Sequence, residues 1–595
     1  MSAINPSPFT TRPEIEGTFG VVASTHWIAT AVGMSILEKG GNAFDAAVAT
    51  AFTLQVVEPH LNGPGGEVPV VLNDVRRGRT EVICGQGPAP AGATIAHYRG
   101  LGLDLVPGSG LLAACVPGAF DAWMLLLRDY GTLDLESVLA PAIFYAEHGH
   151  PLLERVSATI ATVRDLFRNH WPTSAAVYLP GGQLPQPGAL FRNETLAATY
   201  HRLVREAQSA GGDRQRQIER ARKTWSEGFI AEAIDRFCRT QSLMDTSGEP
   251  HRGVLAGGDM ARWAAKVETP LTYEYGRYTV CKAGPWSQGP VLLQQLALLK
   301  GFALDGLDPK GPDFIHLQIE CAKLAFADRE NFYGDPDFVD VPMATLLSDG
   351  YNAERRALIS EKASLELRPG AVKGFSARVQ FREGEGPRAA VGHTGGGEPT
   401  LGPGDTVHFD IIDRAGNMVS ATPSGGWLQS SPVIPELGFC LGTRAQMFWL
   451  DEQHPAGLAP GKRPRTTLTP TLALRDGEPY LAWGTPGGDQ QDQWIAQFFL
   501  RHVHCGMNLQ ESIDAPAWHS EHFPSSFWPR TARPGVLVLE NRVPKKTRDE
   551  LERRGHILEV GPDWSEGRLS AASRVGSRRR AAANPRGMQG YAAGR

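Results

Sequence analysis

Cysteine is scarce in this sequence: seven residues in 595, Cys84, Cys115, Cys238, Cys281, Cys321, Cys440 and Cys505, with no CxxC pair. An odd, scattered set in a long chain excludes a disulfide framework or a thiolate metal knuckle and reads as reduced core thiols. Charge of one sign is missing too. Fifty-nine Lys and Arg against 64 Asp and Glu leave a formal net charge of −5, too weak a field for nucleic acid or an anionic membrane. No long apolar run exists. The richest, 291–304, is broken by Gln294, Gln295 and Lys300, short of the roughly 18–20 apolar residues a spanning helix needs. Residues 1–9 carry neither the basic nor the apolar part of a secretory signal. These absences lead us to expect a soluble, cytoplasmic protein with no nucleic-acid or membrane partner.

Glycine and proline, by contrast, are abundant, 67 and 44 residues, within a chain that is 42% hydrophobic. That share supports a packed interior, while the length exceeds the roughly 250–300 residues at which single cores stop growing. Two domains or one large layered enzyme are expected. A helix beginning near Thr25 should stop at Lys39-Gly40-Gly41. Asn42, with Asp45 three residues on, should cap a second helix reaching Val57 and apolar on most faces, hence buried. Segments 111–165 and 190–240 read as mostly helical, 313–332 as an amphipathic helix, and 68–72 as a short strand after the tight loop 60–66. Residues 383–405 are dominated by Gly, Pro and Glu and read as an exposed, cleavable linker. Directly after it, 407–412 and 418–422 flank Asp413-Arg-Ala-Gly-Asn417 as a β-hairpin, with more strands at 469–474 and 480–484.

Familiar catalytic patterns fail. No G-x-S-x-G is present, since Ser287 in Gly284-Pro-Trp-Ser287-Gln-Gly289 has the wrong spacing. Gly457-Leu-Ala-Pro-Gly-Lys462 lacks the spacing and hydroxyl of a phosphate loop. His502, His504, His519 and His522 have no HExxH or Cys partners and read as surface or core histidines rather than zinc ligands. No cofactor is implied.

A threonine heading a strand behind a cleavable linker suits one chemistry. Cutting the peptide bond before Thr406 would give it a free α-amine, of ordinary pKa about 8, beside its own hydroxyl. Nucleophile and base would then be tethered in one residue. The oxyanion needs donors, and the Pro-Gly-Gly turn in Gly484-Thr-Pro-Gly487-Gly488-Asp489, just after a strand, exposes backbone N–H groups.

At these residues the chain resembles the γ-glutamyltranspeptidases (glutathione hydrolases), N-terminal-nucleophile hydrolases made as one chain and self-cleaved into two subunits. The likeness runs through Val21-Val-Ala-Ser-Thr-His26, Gly40-Gly-Asn-Ala-Phe-Asp-Ala-Ala47, Val57-Glu-Pro-His60, Val116-Pro-Gly118, Tyr130-Gly-Thr132, Lys323-Leu-Ala-Phe-Ala-Asp328 and Gly334-Asp-Pro-Asp337. It continues through Thr406-Val-His408, Asp413 to Asn417, Lys462-Arg-Pro464, Thr466-Thr467-Leu-Thr-Pro470 and Pro486-Gly-Gly488. The resemblance implies an α+β fold, a four-layer αββα sandwich of two mostly antiparallel sheets covered by helices. It implies cleavage between Asp405 and Thr406, so that 1–405 and 406–595 become two subunits sharing one core, and it leaves open a dimer of such units. It implies Thr406 as nucleophile, Ser424 as the hydroxyl bonded to it, Thr466 and Thr467 as contacts to a substrate carboxylate, and Gly487 and Gly488 as the oxyanion hole.

The chain departs from the family where the γ-glutamyl zwitterion is gripped. Gln86-Gly-Pro-Ala-Pro90 stands where an arginine segment is usual, and Arg444-Ala-Gln-Met-Phe448 where an Asp-Asp pair is usual. Val407 and Gly426 also replace the usual threonine and asparagine. Gln86 and Arg444 are therefore the candidate substrate-binding replacements. The expected function is a γ-glutamyltransferase-like amidohydrolase or acyltransferase acting on a small amide. Alternatives are an acylase of the cephalosporin-acylase type, acting on another acyl group, or an uncleaved binding protein on the same scaffold.

Overall fold

The computed structural model describes residues 9–382 and 406–595. The linker 383–405, and Asp405 with it, lie outside the described residues.

Two seven-stranded sheets organise the described chain, which mixes helix and sheet throughout. In the first, Tyr591–Gly594, Val21–Ser24, Phe409–Ile412, Met418–Ala421, Val68–Asp74, Arg79–Gly85 and Lys266–Glu268 lie side by side in that order. In the second the order is Ile15–Gly17, Arg578–Ala583, Ser570–Val575, Glu478–Gly484, Thr471–Arg475, Tyr278–Lys282 and Leu271–Tyr275. Every neighbouring pair in both sheets is antiparallel. Each sheet draws strands from before residue 383 and from after 405.

Side-chain alternation along the strands sorts residues between two environments. Val22, Phe409, Ile411, Val419 and Ala421 pack on one side with the helices Trp27–Glu38, Ala43–Val57, Ala119–Tyr130 and Leu135–His148. Their strand neighbours Val21, Ala23, Ile412 and Met418 meet Leu472, Ala482, Ala572 and Ala581 of the second sheet. The outer face of the second sheet, with Val280, Ala473, Leu481 and Trp483, packs against the helices Pro290–Leu299, Pro312–Phe332 and Gln491–His504.

Local signals read from the sequence hold at the helix ends. Asn42 Oδ1 accepts from the Phe44 and Asp45 N–H groups while Asp45 accepts from Asn42 N–H, a capping box, and the helix behind it is buried along its whole length. All seven cysteines are free and buried. One expectation needs correcting. The helix Pro312–Phe332 is not amphipathic, because after its first turn it is buried nearly all round. Its polar residues do not face water; they are held by partners such as Lys323 with Glu320, Arg329 with Asp489, and Asp328 with Gln294 and Tyr351. No helix of the described residues is long and apolar enough to cross a membrane.

Candidate active site

The hairpin that follows the linker builds the centre of the site. Its strands pair Phe409 with Ala421, and continuing that register outward brings Val407 N–H to Pro423 O (3.2 Å) and Thr406 opposite Ser424. Thr406 Oγ1 and Ser424 Oγ share a hydrogen bond of 3.0 Å, and both residues are buried. The turn is fixed by Asp413, whose carboxylate accepts from Gly416 N–H, Asn417 N–H and Asn417 Nδ2, and also from Ala43 N–H at the head of the buried helix. Hairpin register and helix docking thus depend on one side chain.

The row extends beyond the hairpin. Ser424 bridges Glu67 in antiparallel fashion, with Glu67 N–H to Ser424 O at 2.9 Å and Ser424 N–H to Glu67 O at 3.0 Å. Val68 pairs with Gly85, so one further step sets Gln86 beside Glu67. Thr406, Ser424, Glu67 and Gln86 therefore head four adjacent strands, all in the alternation class that faces the second sheet.

Arg444 reaches this row from the turn Arg444–Met447. Its Nη2 donates to Ser424 Oγ at 2.6 Å, and its Nε donates to Glu67 Oε1. Both members of the ion pair are buried, and the guanidinium carbon lies 5.2 and 5.6 Å from the Trp427 and Phe527 ring centres. Burial pushes the Glu67 carboxyl above its ordinary value while Arg444 pulls it back. Burial, helped by Glu67, also raises the nearby Cys115 thiol, so that sulfur is a neutral neighbour. Arg444 thus touches the partner of Thr406 and a carboxylate. Gln86 Nε2 donates to its neighbour's carbonyl, Gly87 O, at 3.0 Å, while its buried Oε1 has no protein donor among the described residues.

Two residues inward from Thr406, His408 bonds Thr422 Oγ1 through Nδ1 (2.8 Å) and Asp410 through Nε2 (3.0 Å), and Ser570 Oγ donates to the same carboxylate. The imidazole lies against Gly484, where a Cβ would come closer than 3.0 Å to three ring atoms. Past Gly484 the second sheet's strand ends and Thr485-Pro486-Gly487-Gly488 turns back. Gly487 has φ 121° and Gly488 φ 50°, left-handed conformations open to glycine, and a Cβ on Gly487 would strike the Trp494 ring. Gln288 Nε2 donates to Gly488 O (3.1 Å), and Asp489 accepts from Arg329, Ser526 N–H and Ser526 Oγ. Among the described residues no protein acceptor takes the Gly487 or Gly488 N–H.

Thr466 and Thr467 sit elsewhere in the framework. Thr466 O accepts from Gln288 N–H (2.8 Å), which ties that segment to the glycine turn, and Thr467 Oγ1 is buried with no protein partner among the described residues. Below them Lys282 and Asp492 pair at 3.2 Å, with Lys282 Nζ also donating to Thr469 O and Thr471 Oγ1. Burial draws the lysine down to about 8 and the aspartate up to about 6, each opposed by the other's charge. Thr406 and Ser424 are in direct contact, whereas the Thr466–Thr467 and Gly487–Gly488 pairs join them through strands and Gln288.

Sequence reasoning missed Glu67, Gln288 and the ring of His408. Glu67 was legible in principle, as a carboxylate directly behind Gly65-Gly66 and in register with Ser424. Gln288 was not, since only the tertiary fold brings it to Gly488.

Among the described residues one group has metal-ligand spacing: His316, Glu320 and His556, all buried. It lies on the helix Pro312–Phe332 and the segment before the strand Ile557–Gly561, away from the hairpin. His316 Nε2 faces Ser360 O (2.7 Å) and must donate, so His316 Nδ1 accepts from His556 Nε2 (2.9 Å). Glu320 is already held by Lys323 and Arg368. Two cations on the one carboxylate and a hydrogen bond between the imidazoles fit a neutral polar cluster better than a metal centre.

Thr406 and Ser424 thus pair their hydroxyls at a strand head, and the Gly487–Gly488 turn keeps its N–H groups without a protein acceptor among the described residues. The gamma-glutamyltranspeptidase family model matches residues 29–594. The chain belongs to the gamma-glutamyltranspeptidase family. Among its relatives in that family is the glutathione hydrolase-like YwrD proenzyme of Bacillus subtilis, 30% identical, with 92% of this chain and 93% of the relative covered. The solved structure of LmbA2991HD is 58% identical, with a TM-score of 0.93 over 99% of this chain and 100% of that one. The cephalosporin acylase of Bacillus halodurans is 28% identical, with a TM-score of 0.82 over 100% of this chain and 99% of the other. Gamma-glutamyltranspeptidase relatives thus include both glutathione hydrolase proenzymes and acylases.

Proposed function

We propose that this member of the family is a self-processing amidohydrolase or acyltransferase whose nucleophile is Thr406. The observation that carries the reading is the 3.0 Å contact between Thr406 Oγ1 and Ser424 Oγ at the head of a central strand. Processing between Asp405 and Thr406 leaves pieces of 405 and 190 residues and frees the Thr406 amine. That amine takes the hydroxyl proton as Oγ1 attacks the amide carbonyl carbon; the N–H groups of Gly487 and Gly488 hold the oxyanion. The carbon–nitrogen bond breaks, the leaving nitrogen takes the proton from the ammonium, and water or an amine then resolves the ester. We read the two facing sheets and their helical covers as the four-layer αββα sandwich of N-terminal-nucleophile hydrolases, with the two pieces sharing one interior.

A second reading, an acylase for a group other than γ-glutamyl, is favoured by one observation. Glu67 neutralises Arg444, and Arg444 is spent on Ser424, which leaves Gln86 as the uncharged member of the row where a zwitterion needs charge. The test begins with a denaturing gel. The wild-type chain resolves into two bands near the 405/190 division, and Thr406→Ala gives one. A single wild-type band sinks the proposal. The two-band protein, offered γ-glutamyl-anilide and apolar acyl-anilides, turns over the latter faster if the second reading is right.

A further inference from the structure

We infer that Arg444, held by Glu67, is a positioning residue for the nucleophile rather than a grip for substrate. The inference rests on the reading of Thr406 as nucleophile. A guanidinium can only donate, so the 2.6 Å contact from Arg444 Nη2 fills an acceptor site on Ser424 Oγ. The serine hydroxyl has a single hydrogen, and its other hydrogen-bond partner among the described residues is Thr406 Oγ1 at 3.0 Å. Arginine's donation therefore sets the direction of the second bond: Ser424 donates and Thr406 Oγ1 accepts.

Two consequences follow for the reacting oxygen. Thr406's own hydrogen is turned away from Ser424, available to the nitrogen of the same residue. The donated hydrogen also stabilises negative charge as it grows on Oγ1, and a donor polarised by a cation does so more strongly than a neutral one. Glu67 keeps the device in place. It takes Arg444 Nε while Nη2 goes to Ser424, so the planar fork spans carboxylate and hydroxyl at once, a geometry lysine cannot copy. Glu67 is itself fixed by the two backbone hydrogen bonds that join it to Ser424. Because carboxylate and guanidinium cancel, the pair fixes direction at the nucleophile without adding net charge to the site.

A substrate-gripping arginine and a positioning arginine differ in a step that involves no added substrate. Self-cleavage uses the Thr406 hydroxyl on the chain's own preceding carbonyl: Oγ1 bonds to that carbon, its proton passes to the Thr406 nitrogen as the C–N bond breaks, and water hydrolyses the resulting ester. The experiment follows the rate of that cleavage on gels of freshly made full-length chain for wild type, Arg444→Lys, Ser424→Ala and the double variant, each checked by thermal melt for folding. The positioning role predicts roughly 10–100-fold slower cleavage for Arg444→Lys, the range set by one charge-assisted hydrogen bond. It also predicts that adding Arg444→Lys to Ser424→Ala costs nothing further, because arginine acts through serine. On any anilide the wild type accepts, kcat falls and KM stays. Wild-type cleavage in folded Arg444→Lys, or single effects that simply multiply in the double variant, overturns the inference. So does a raised KM with unchanged self-cleavage, which marks a substrate grip. If Arg444→Lys does not fold, the charge-neutral pair Glu67→Gln with Arg444→Gln is measured against the same two expectations. Failure of the wild type to cleave at all refutes instead the nucleophile reading.

Discussion

At the scale of single residues, the site is built from close approaches that leave little room for substitution. Gly484 is the sharpest. His408 cannot move away from an added Cβ, because Thr422 and Asp410 hold both ring nitrogens. Gly484→Ala should therefore destabilise the protein by about 1–3 kcal/mol, the usual cost of overpacking, and slow self-cleavage by displacing the turn that follows. A thermal melt and a timed gel measure the two effects; a variant with wild-type values in both would show that the ring yields. Reading along the chain singled out Thr406, Ser424 and the glycine pair because each sits in an ordered motif, and the structure brings the first two into contact. The contact between Arg444 and Glu67 was out of reach, since they lie 377 positions apart in sequence and nothing local to either names the other.

At the scale of elements, most of the legible information was at boundaries. Asn42 and Asp45 announce a helix start by their spacing, and Gly40-Gly41 announces a stop, because capping and left-handed backbone are local physics. The helix Pro312–Phe332 was misjudged for the converse reason: its charged residues look solvent-bound until their partners from distant segments are known. The short strand Trp518–Ser520 carries another such pairing. His519 Nδ1 and Glu566 are 2.7 Å apart, with Glu521 near Nε2. Burial works against a charged imidazole here, but the two carboxylates outweigh it and raise His519 to about 9. Burial also works against the Glu521 carboxylate, but His519 and Arg533 together bring it down to about 2. A raised folded value means the stabilisation is fully present below the unfolded histidine's 6.5 and is lost as pH climbs through 9. The expected loss between those limits is at most about 3 kcal/mol. Unfolding followed from pH 6.5 to 9 should show that decline in the wild type and lack it in His519→Gln, which starts less stable because Glu566 loses its partner. A variant retaining the full decline would assign it to another group.

At the scale of the whole molecule, each sheet joins strands from both sides of residue 405. The central hairpin, Phe409–Ile412 with Met418–Ala421, is flanked by Val21–Ser24 and Val68–Asp74. Pulling the pieces apart would break ladder hydrogen bonds in both sheets and expose the apolar layer between them. Processed protein should therefore elute from a sizing column as one species in native buffer and separate into its two pieces in denaturant. Separation in native buffer would contradict a shared interior. The length and composition of the chain had left two domains open, and no local pattern distinguishes two cores from one interleaved core. Strand order bears on that, and strand order is long-range.

The transverse row Thr406, Ser424, Glu67 and Gln86 has a further meaning for how such a site changes over time. Its members are strand ends, not loop residues, so their spacing is set by the ladder and stays constant when any one side chain is exchanged. If Thr406 reacts and Gln86 faces the acyl group, as proposed above, new acyl preferences can arise one position at a time at the Gln86 end while the Thr406 end stays under the hairpin's control. A slipped register between the hairpin's two strands would do the opposite: it would leave every side chain of the row chemically intact and take Ser424 away from its place opposite Thr406. On the reading proposed above, point changes at one end of the row tune specificity, and a register slip in the hairpin stops the reaction.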